Sequence, residues 1–159
     1  ITGIINIQGD EPFLNPNVIE KIGKELAKGH DMVTAMCPFK NIAEMKEPST
    51  VKVIFNKKIE AIYFSRAALP FYRDGRTAHP EKWPCQRHIG IYGYQKEFLK
   101  KYITLNETPL EAAEKLEQLR VIENGYKITL TQTEDSPKGI DTREDLRTAR
   151  KLVLEGIHP

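Results

Sequence analysis

Two aspartates stand where an α/β chain most readily builds chemistry: Asp10, in the turn Gln8-Gly9-Asp10-Glu11-Pro12, and Asp141, in Gly139-Ile140-Asp141-Thr142. Both sit in loops after strand-like runs, and in open α/β sheets ligands bind in the crevice beyond the carboxyl ends of the strands. Two carboxylates converging there would make a hard oxygen site suited to Mg²⁺, which favours carboxylates, water and phosphate. Equally, Asp10 can end a turn and Asp141 can help cap a following helix, both ordinary uses of aspartate. Spacing alone leaves the two readings level.

Arg66 closes the apolar run Tyr63-Phe64-Ser65-Arg66. A guanidinium at a strand end can grip a carboxylate or phosphate bidentately, or can simply be a surface arginine. His88 opens His88-Ile89-Gly90-Ile91-Tyr92-Gly93-Tyr94, where it can donate to a substrate hydroxyl or serve as a satisfied structural histidine. The two glycines weaken that strand unless a ligand or another backbone comes close. Glu117 and Gln118 fall on a helix with apolar positions Leu110, Ala113, Leu116 and Leu119, and the row Glu114, Glu117, Arg120 reads as a solvated face. Phe71, Tyr72 and Trp83 read as hairpin or interface packing. No GxxxxGK[ST], GxSxG, HExxH or GxGxxG occurs, so the common phosphate-loop, hydrolase, zincin and dinucleotide readings lack support.

The elements that must position these residues follow an α/β order. Residues 1–7 carry apolar side chains on both alternations, as a strand buried on both faces does, so neighbours on each side are expected, with earlier sequence to supply them. Asn15 reads as an N-cap and Pro16 as the first helical residue; Val18, Ile19, Ile22 and Leu26 keep helical spacing, and Gly29 sits at the stop. Residues 32–37 form the next strand, giving a βαβ unit and a largely parallel sheet. Residues 51–55 and 59–64 flank a turn as a hairpin, residues 72–86 form a loop, and 88–94 a further strand. A short helix over 98–102, a longer one opened by Pro109 and closed by Asn124-Gly125, a strand over 126–130 and a last helix capped by Thr142 complete the chain.

With 159 residues, 40% apolar and 29% charged, the chain is globular, and its 24 basic and 22 acidic residues leave +2. That balance gives no electrostatic case for nucleic acid. Cys37 and Cys85 make no disulfide framework and no zinc pattern with His30, His79, His88 and His158, which points to a reducing compartment. No apolar run approaches the ~20 residues of a membrane span. A cytoplasmic location is expected, with no membrane partner.

Taken in order, Asn6-Ile7-Gln8-Gly9-Asp10-Glu11-Pro12, Val51-Lys52-Val53, Tyr63-Phe64-Ser65-Arg66-Ala67 with Pro70, Arg87-His88-Ile89-Gly90-Ile91-Tyr92-Gly93-Tyr94, Leu116-Glu117-Gln118-Leu119-Arg120 and Gly139-Ile140-Asp141-Thr142 resemble the 3-deoxy-manno-octulosonate cytidylyltransferases, also called CMP-Kdo synthetases. The resemblance implies transfer of CMP from CTP to the sugar acid Kdo with release of pyrophosphate, for lipopolysaccharide synthesis, with Mg²⁺ required. It implies a Rossmann-like α/β nucleotidyltransferase body within a single domain, residues 1–159, and an antiparallel β extension over about 39–95 used for homodimerisation. It assigns Asp10 and Asp141 to the metal and to catalysis, and Gln8, Arg66, His88, Tyr92, Glu117 and Gln118 to the sugar-acid pocket. The family's N-terminal strand and its glycine- and arginine-containing loop ending in lysine, which cradles the triphosphate, have no counterpart here. The expectation is therefore the C-terminal portion of the family fold. Its alternatives are a cytidylyltransferase for another acid sugar such as sialic acid, and an inactive remnant acting only through its dimer surface.

Overall fold

The structure is a computed structural model and describes residues 2–9, 11–73, 83–134, 139–140 and 142–155. Its elements run β1 (Gly3–Ile7), α1 (Pro16–Ala27), β2 (Met32–Cys37), α2 (Ile42–Lys46), β3 (Lys52–Phe55), β4 (Ala61–Ser65), β5 (Cys85–Gln95), α3 (Lys96–Tyr102), α4 (Pro109–Glu114), α5 (Leu119–Glu123), β6 (Thr129–Gln132) and α6 (Arg143–Leu154).

Helix α1 forms as its sequence dictates. The Asn15 side chain accepts from Asn17 N at 2.9 Å, Pro16 needs no partner for a missing N–H, and Gly29 takes φ 93° just past the end. Val18, Ile22 and Leu26 are the buried stripe. They pack with Val33, Ala35, Cys37, Ile89 and Ile91 on one face of the sheet. The opposite face holds the larger core, where Met32, Met36, Val53, Phe64 and Leu130 meet Phe98, Leu116, Leu119 and Val121 from α3, the segment after α4, and α5. β2 is buried along its whole length because both cores lie against it.

The sheet runs β4-β3-β5-β2-β6, with β1 also on β5. This corrects the largely parallel sheet expected from the β1-α1-β2 order. β5 lies between β1 and β2, antiparallel to both, and among the described residues only β2 and β6 pair in parallel. β1 is also less enclosed than its apolar run suggests: Ile4 is 38% and Ile7 46% exposed. Hydrophobic pattern reports how many faces a strand can bury, not which strand lies next to it.

Two further expectations change. The helix read from Pro109 to a stop at Asn124-Gly125 is two helices, because Lys115 adopts the left-handed conformation (φ 53°, ψ 49°) and ends α4 after Glu114. The strand expected over 126–130 begins at Thr129 and runs to Gln132. Near its start, Ala61 N donates to Ile128 O at 2.9 Å and Leu130 N to Ile59 O at 2.8 Å, so the sheet curls until the beginnings of β4 and β6 touch. Cys37 and Cys85 are buried and are not joined in a disulfide. No helix among the described residues is long and apolar enough to cross a membrane.

Candidate active site

β5 has β2 along one edge and shares its other edge between two strands. Residues 85–87 pair with β3, and residues 91–95 pair with β1. Between those pairings the two neighbours diverge, and the fork opens into a cleft of about 590 Å³. Gln8, Arg66, His88, Tyr92, Glu117 and Gln118 all line it. The six expected pocket residues that the structure describes are thus brought together from the end of β1, the end of β4, the middle of β5 and the turn between α4 and α5.

Asp10 and Asp141 lie outside the described residues. The chain beside them is described: Gln8, Glu11 and Gly139 line the same cleft. Among the described residues no group of three His, Cys, Asp or Glu side chains is arranged to hold a metal ion.

Arg66 is anchored through two of its guanidinium nitrogens. Its Nε donates to Glu114 O at 2.9 Å and its Nη1 to Pro48 O at 3.3 Å, both main-chain carbonyls. Among the described residues no carboxylate is hydrogen-bonded to the guanidinium, so Nη2 can still donate to an anion. Glu114, read from sequence as part of a solvated row, instead turns inward. Its carboxylate accepts from Ser65 Oγ at 2.5 Å, Arg66 N at 2.8 Å and Tyr63 OH at 3.4 Å. Burial acts to raise the Glu114 pKa, but these hydrogen bonds and the Arg66 charge outweigh it and hold the carboxyl below its ordinary value. Arg120 leaves that row too: Nε and Nη2 form a bidentate pair with buried Glu111, fixing α5 against α4.

Gln118 sits at that corner, only 4% exposed, and its Nε2 has no hydrogen-bond partner among the described residues. A buried amide donor left open beside a cleft is costly unless a ligand or water completes it. His88 is buried with Nε2 2.9 Å from Thr34 Oγ1, its ring edge-on to Phe64 at 5.0 Å and 5.5 Å from Tyr92. Burial, with a smaller contribution from the Arg87 charge, pushes its pKa from 6.5 down to about 3, so the imidazole is neutral. Burial likewise raises the Tyr92 phenol well above its ordinary range and keeps it protonated. Gly90 lines the cleft, where an added Cβ would meet only Gln8 Cγ at 3.6 Å. Gly93 has another purpose: a Cβ there would come within 2.4 Å of Ile22 Cγ2, so it is helix α1, not a ligand, that requires the glycine.

Sequence reasoning missed Glu114, Thr34 and Lys52. Lys52 is wholly buried, and its ammonium donates to Glu47 O, Thr50 O and Arg66 O at 2.7, 2.7 and 2.8 Å. It ties the cleft wall at residues 47–50 to the backbone of Arg66.

Known proteins similar to this chain in sequence and in shape agree with one another. The chain is 42% identical over 153 residues to a 3-deoxy-manno-octulosonate cytidylyltransferase of Polynucleobacter necessarius, covering 94% of this chain and 59% of that protein. It is 40% identical over 155 residues to the protein of the same name from Neisseria meningitidis serogroup C, covering 94% and 61%. The chain thus spans about three fifths of the length of the curated relatives it matches. Among solved structures, CMP:2-keto-3-deoxy-manno-octonic acid synthetase complexed with CTP superposes with a TM-score of 0.87 at 34% identity, covering 98% of this chain and 63% of that one. A 4-diphosphocytidyl-2C-methyl-D-erythritol synthase from Anaerococcus prevotii shares the fold alone, with a TM-score of 0.54 at 15% identity over 96% of this chain and 59% of that one. The α/β architecture is therefore that of the nucleotidyltransferases. A profile described as cytidylyltransferase matches residues 1–128, most of the chain, and with the relatives' agreement it follows that this protein belongs to the cytidylyltransferase family.

Proposed function

We propose that the protein to which this chain belongs transfers CMP from CTP to the anomeric hydroxyl of Kdo, releasing pyrophosphate. The observation that supports this best is the cleft's division of labour. The Arg66 guanidinium, hydrogen-bonded to no carboxylate among the described residues, and the buried Gln118 Nε2, without a partner among them, suit a carboxylate, while neutral His88 and protonated Tyr92 suit hydroxyls. An acid sugar presents both kinds of group.

In this reading the sugar oxygen forms a bond to the α-phosphorus, the bond from that phosphorus to the β-phosphate oxygen breaks, and the hydroxyl proton passes to solvent. Arg66 and Gln118 hold the carboxylate, His88 and Tyr92 hold hydroxyls, and Gln8 and Glu117 close the rim; orientation is a large share of such catalysis. Asp10 and Asp141 are the carboxylates that would hold Mg²⁺, and their oxygen donors suit it; support comes from their chain neighbours Gln8, Glu11 and Gly139 lining one cleft. When bound, the ion lowers the pKa of the attacking hydroxyl and offsets phosphate charge.

Homodimerisation through the region of about residues 39–95, within a single domain 1–159, is part of the same proposal, as is a cytoplasmic location. Ile62, 52% exposed on β4, gives the dimer an apolar contact. The test of function is pyrophosphate release by the full gene product supplied with CTP, Mg²⁺ and either Kdo or sialic acid. Turnover is expected with Kdo; turnover with sialic acid but not Kdo would overturn the assignment. Asp141→Asn should sharply lower kcat, and near-normal turnover would remove Asp141 from the metal site.

A further inference from the structure

Thr34 is a wholly buried hydroxyl on β2, placed at an irregularity of the sheet. The pairing of β2 with β5 jumps from Thr34↔Tyr92 to Ala35↔Ile89, so Gly90 and Ile91 have no counterpart on β2. The bulge leaves two carbonyls facing the threonine: its Oγ1 is 2.7 Å from Ile91 O and 3.3 Å from Ile89 O. The same oxygen is 2.9 Å from His88 Nε2.

A threonine hydroxyl has one proton, and a carbonyl oxygen can only accept. The 2.7 Å contact to Ile91 O requires that proton, since two bare oxygens at that distance repel. Oγ1 can then meet Nε2 only with a lone pair, so Nε2 must bear hydrogen. A neutral imidazole with hydrogen on Nε2 has a bare Nδ1. No described residue is seen to hydrogen-bond Nδ1, and His88 is one of the residues lining the cleft.

We propose that Thr34 is a positioning residue that locks His88 in the Nε2–H tautomer, so that Nδ1 faces the cleft as a hydrogen-bond acceptor selecting a sugar hydroxyl. This reverses the sequence expectation that His88 donates. It also partitions the cleft: a carboxylate oxygen placed against Nδ1 would meet a lone pair, so the acid group is directed to Arg66 and Gln118 and a hydroxyl to His88. The inference rests on the acid-sugar reading only for the identity of that hydroxyl; the tautomer stands on the protein alone.

The test is ¹H–¹⁵N NMR of the imidazole nitrogens at neutral pH in wild-type protein, Thr34→Ser and Thr34→Val, with His88→Asn to assign the signals. The wild type and Thr34→Ser should show a protonated Nε2 and a bare Nδ1. Thr34→Val should show a mixture of tautomers and a Kd for Kdo raised about tenfold, the scale of one lost hydrogen bond. Thr34→Ser should stay within about threefold, a rescue that mere packing would not give. A wild-type ring protonated on Nδ1, or an unchanged tautomer in Thr34→Val, overturns the proposal; should Thr34→Val not fold, the wild-type and Thr34→Ser spectra decide. On titration with Kdo, a shift of Nδ1 supports the acceptor role, whereas movement of the Arg66 and Gln118 side-chain signals with Nδ1 unmoved overturns it. If Kdo moves none of them while the tautomer is as stated, the acid-sugar reading fails and the assignment of Thr34 stands.

Discussion

Arg66 is held at the cleft by two other residues, Glu114 and Lys52. Glu114 receives the Arg66 backbone N–H and offers its own carbonyl to Nε, while Lys52 takes the Arg66 carbonyl. Glu114→Gln replaces one of the accepting oxygens with an NH₂ that opposes the Ser65 hydroxyl or the Arg66 N–H. Affinity for Kdo should fall about tenfold, in keeping with a hydrogen bond to a charged group, and titration calorimetry reads it directly; unchanged affinity would mean that Glu114 does not position Arg66. Lys52→Met strands three carbonyls in the interior and should cost about 2–4 kcal/mol in urea unfolding. A loss well under 1 kcal/mol would show that water reaches those carbonyls. Neither residue could be found from local sequence. An alternating strand pattern treats Lys52 as an outward polar residue, and nothing marks a lysine whose partners lie 5, 2 and 14 positions away. Glu114 was hidden by a periodicity that runs smoothly through Lys115, where the backbone in fact turns left-handed.

Elements whose signals are local are legible in the sequence. Asn15, Pro16 and Gly29 mark both ends of α1, and the turn at 56–58 marks the β3–β4 hairpin, because caps and turns are made by neighbours in the chain. What was not legible is the partner of each strand. The antiparallel insertion of β5 between β1 and β2 depends on contacts across fifty residues or more, and on a glycine whose reason lies in another element. Gly93 makes that dependence testable. With Ile22 Cγ2 at 2.4 Å and Leu26 Cδ1 at 2.9 Å from any added Cβ, Gly93→Ala must push α1 off β5. The β-branched Ile22 has little rotamer freedom to yield. The expected loss is about 1–3 kcal/mol by overpacking, with a matching fall in Tm. Gly90→Ala, whose Cβ would meet only Gln8 Cγ at 3.6 Å, should leave Tm nearly unchanged and act on ligand affinity instead. Equal losses of stability at both glycines would mean that the helix does not rest on β5 as described.

At the scale of the whole molecule the sheet separates two cores, and the cleft is cut where β1 and β3 part along β5. The groups that line the cleft are consequently rooted in the core, so their protonation contributes to global stability. His88 has a folded pKa of about 3 against an ordinary 6.5. Between those values the unfolded chain binds more protons at this site than the folded one, so stability rises with pH across the window and is complete above 6.5. As pH falls through it, the loss approaches about 1.4 kcal/mol per pH unit. Glu111, held low chiefly by its hydrogen bonds from Arg120, and Glu114 act in the same direction but later: their contribution is present above the ordinary 4.5 and is lost as pH falls through their lowered values. The acid limb should therefore have two stages, one beginning near 6.5 and a steeper one below 4.5. Urea unfolding of wild type and His88→Asn across that range separates them. The variant should start less stable yet be nearly flat between 6.5 and 4.5, then join the wild-type slope below it. Parallel curves for the two proteins over the upper stage would show that His88 is not the buried neutral imidazole on which both the cleft and the sheet depend.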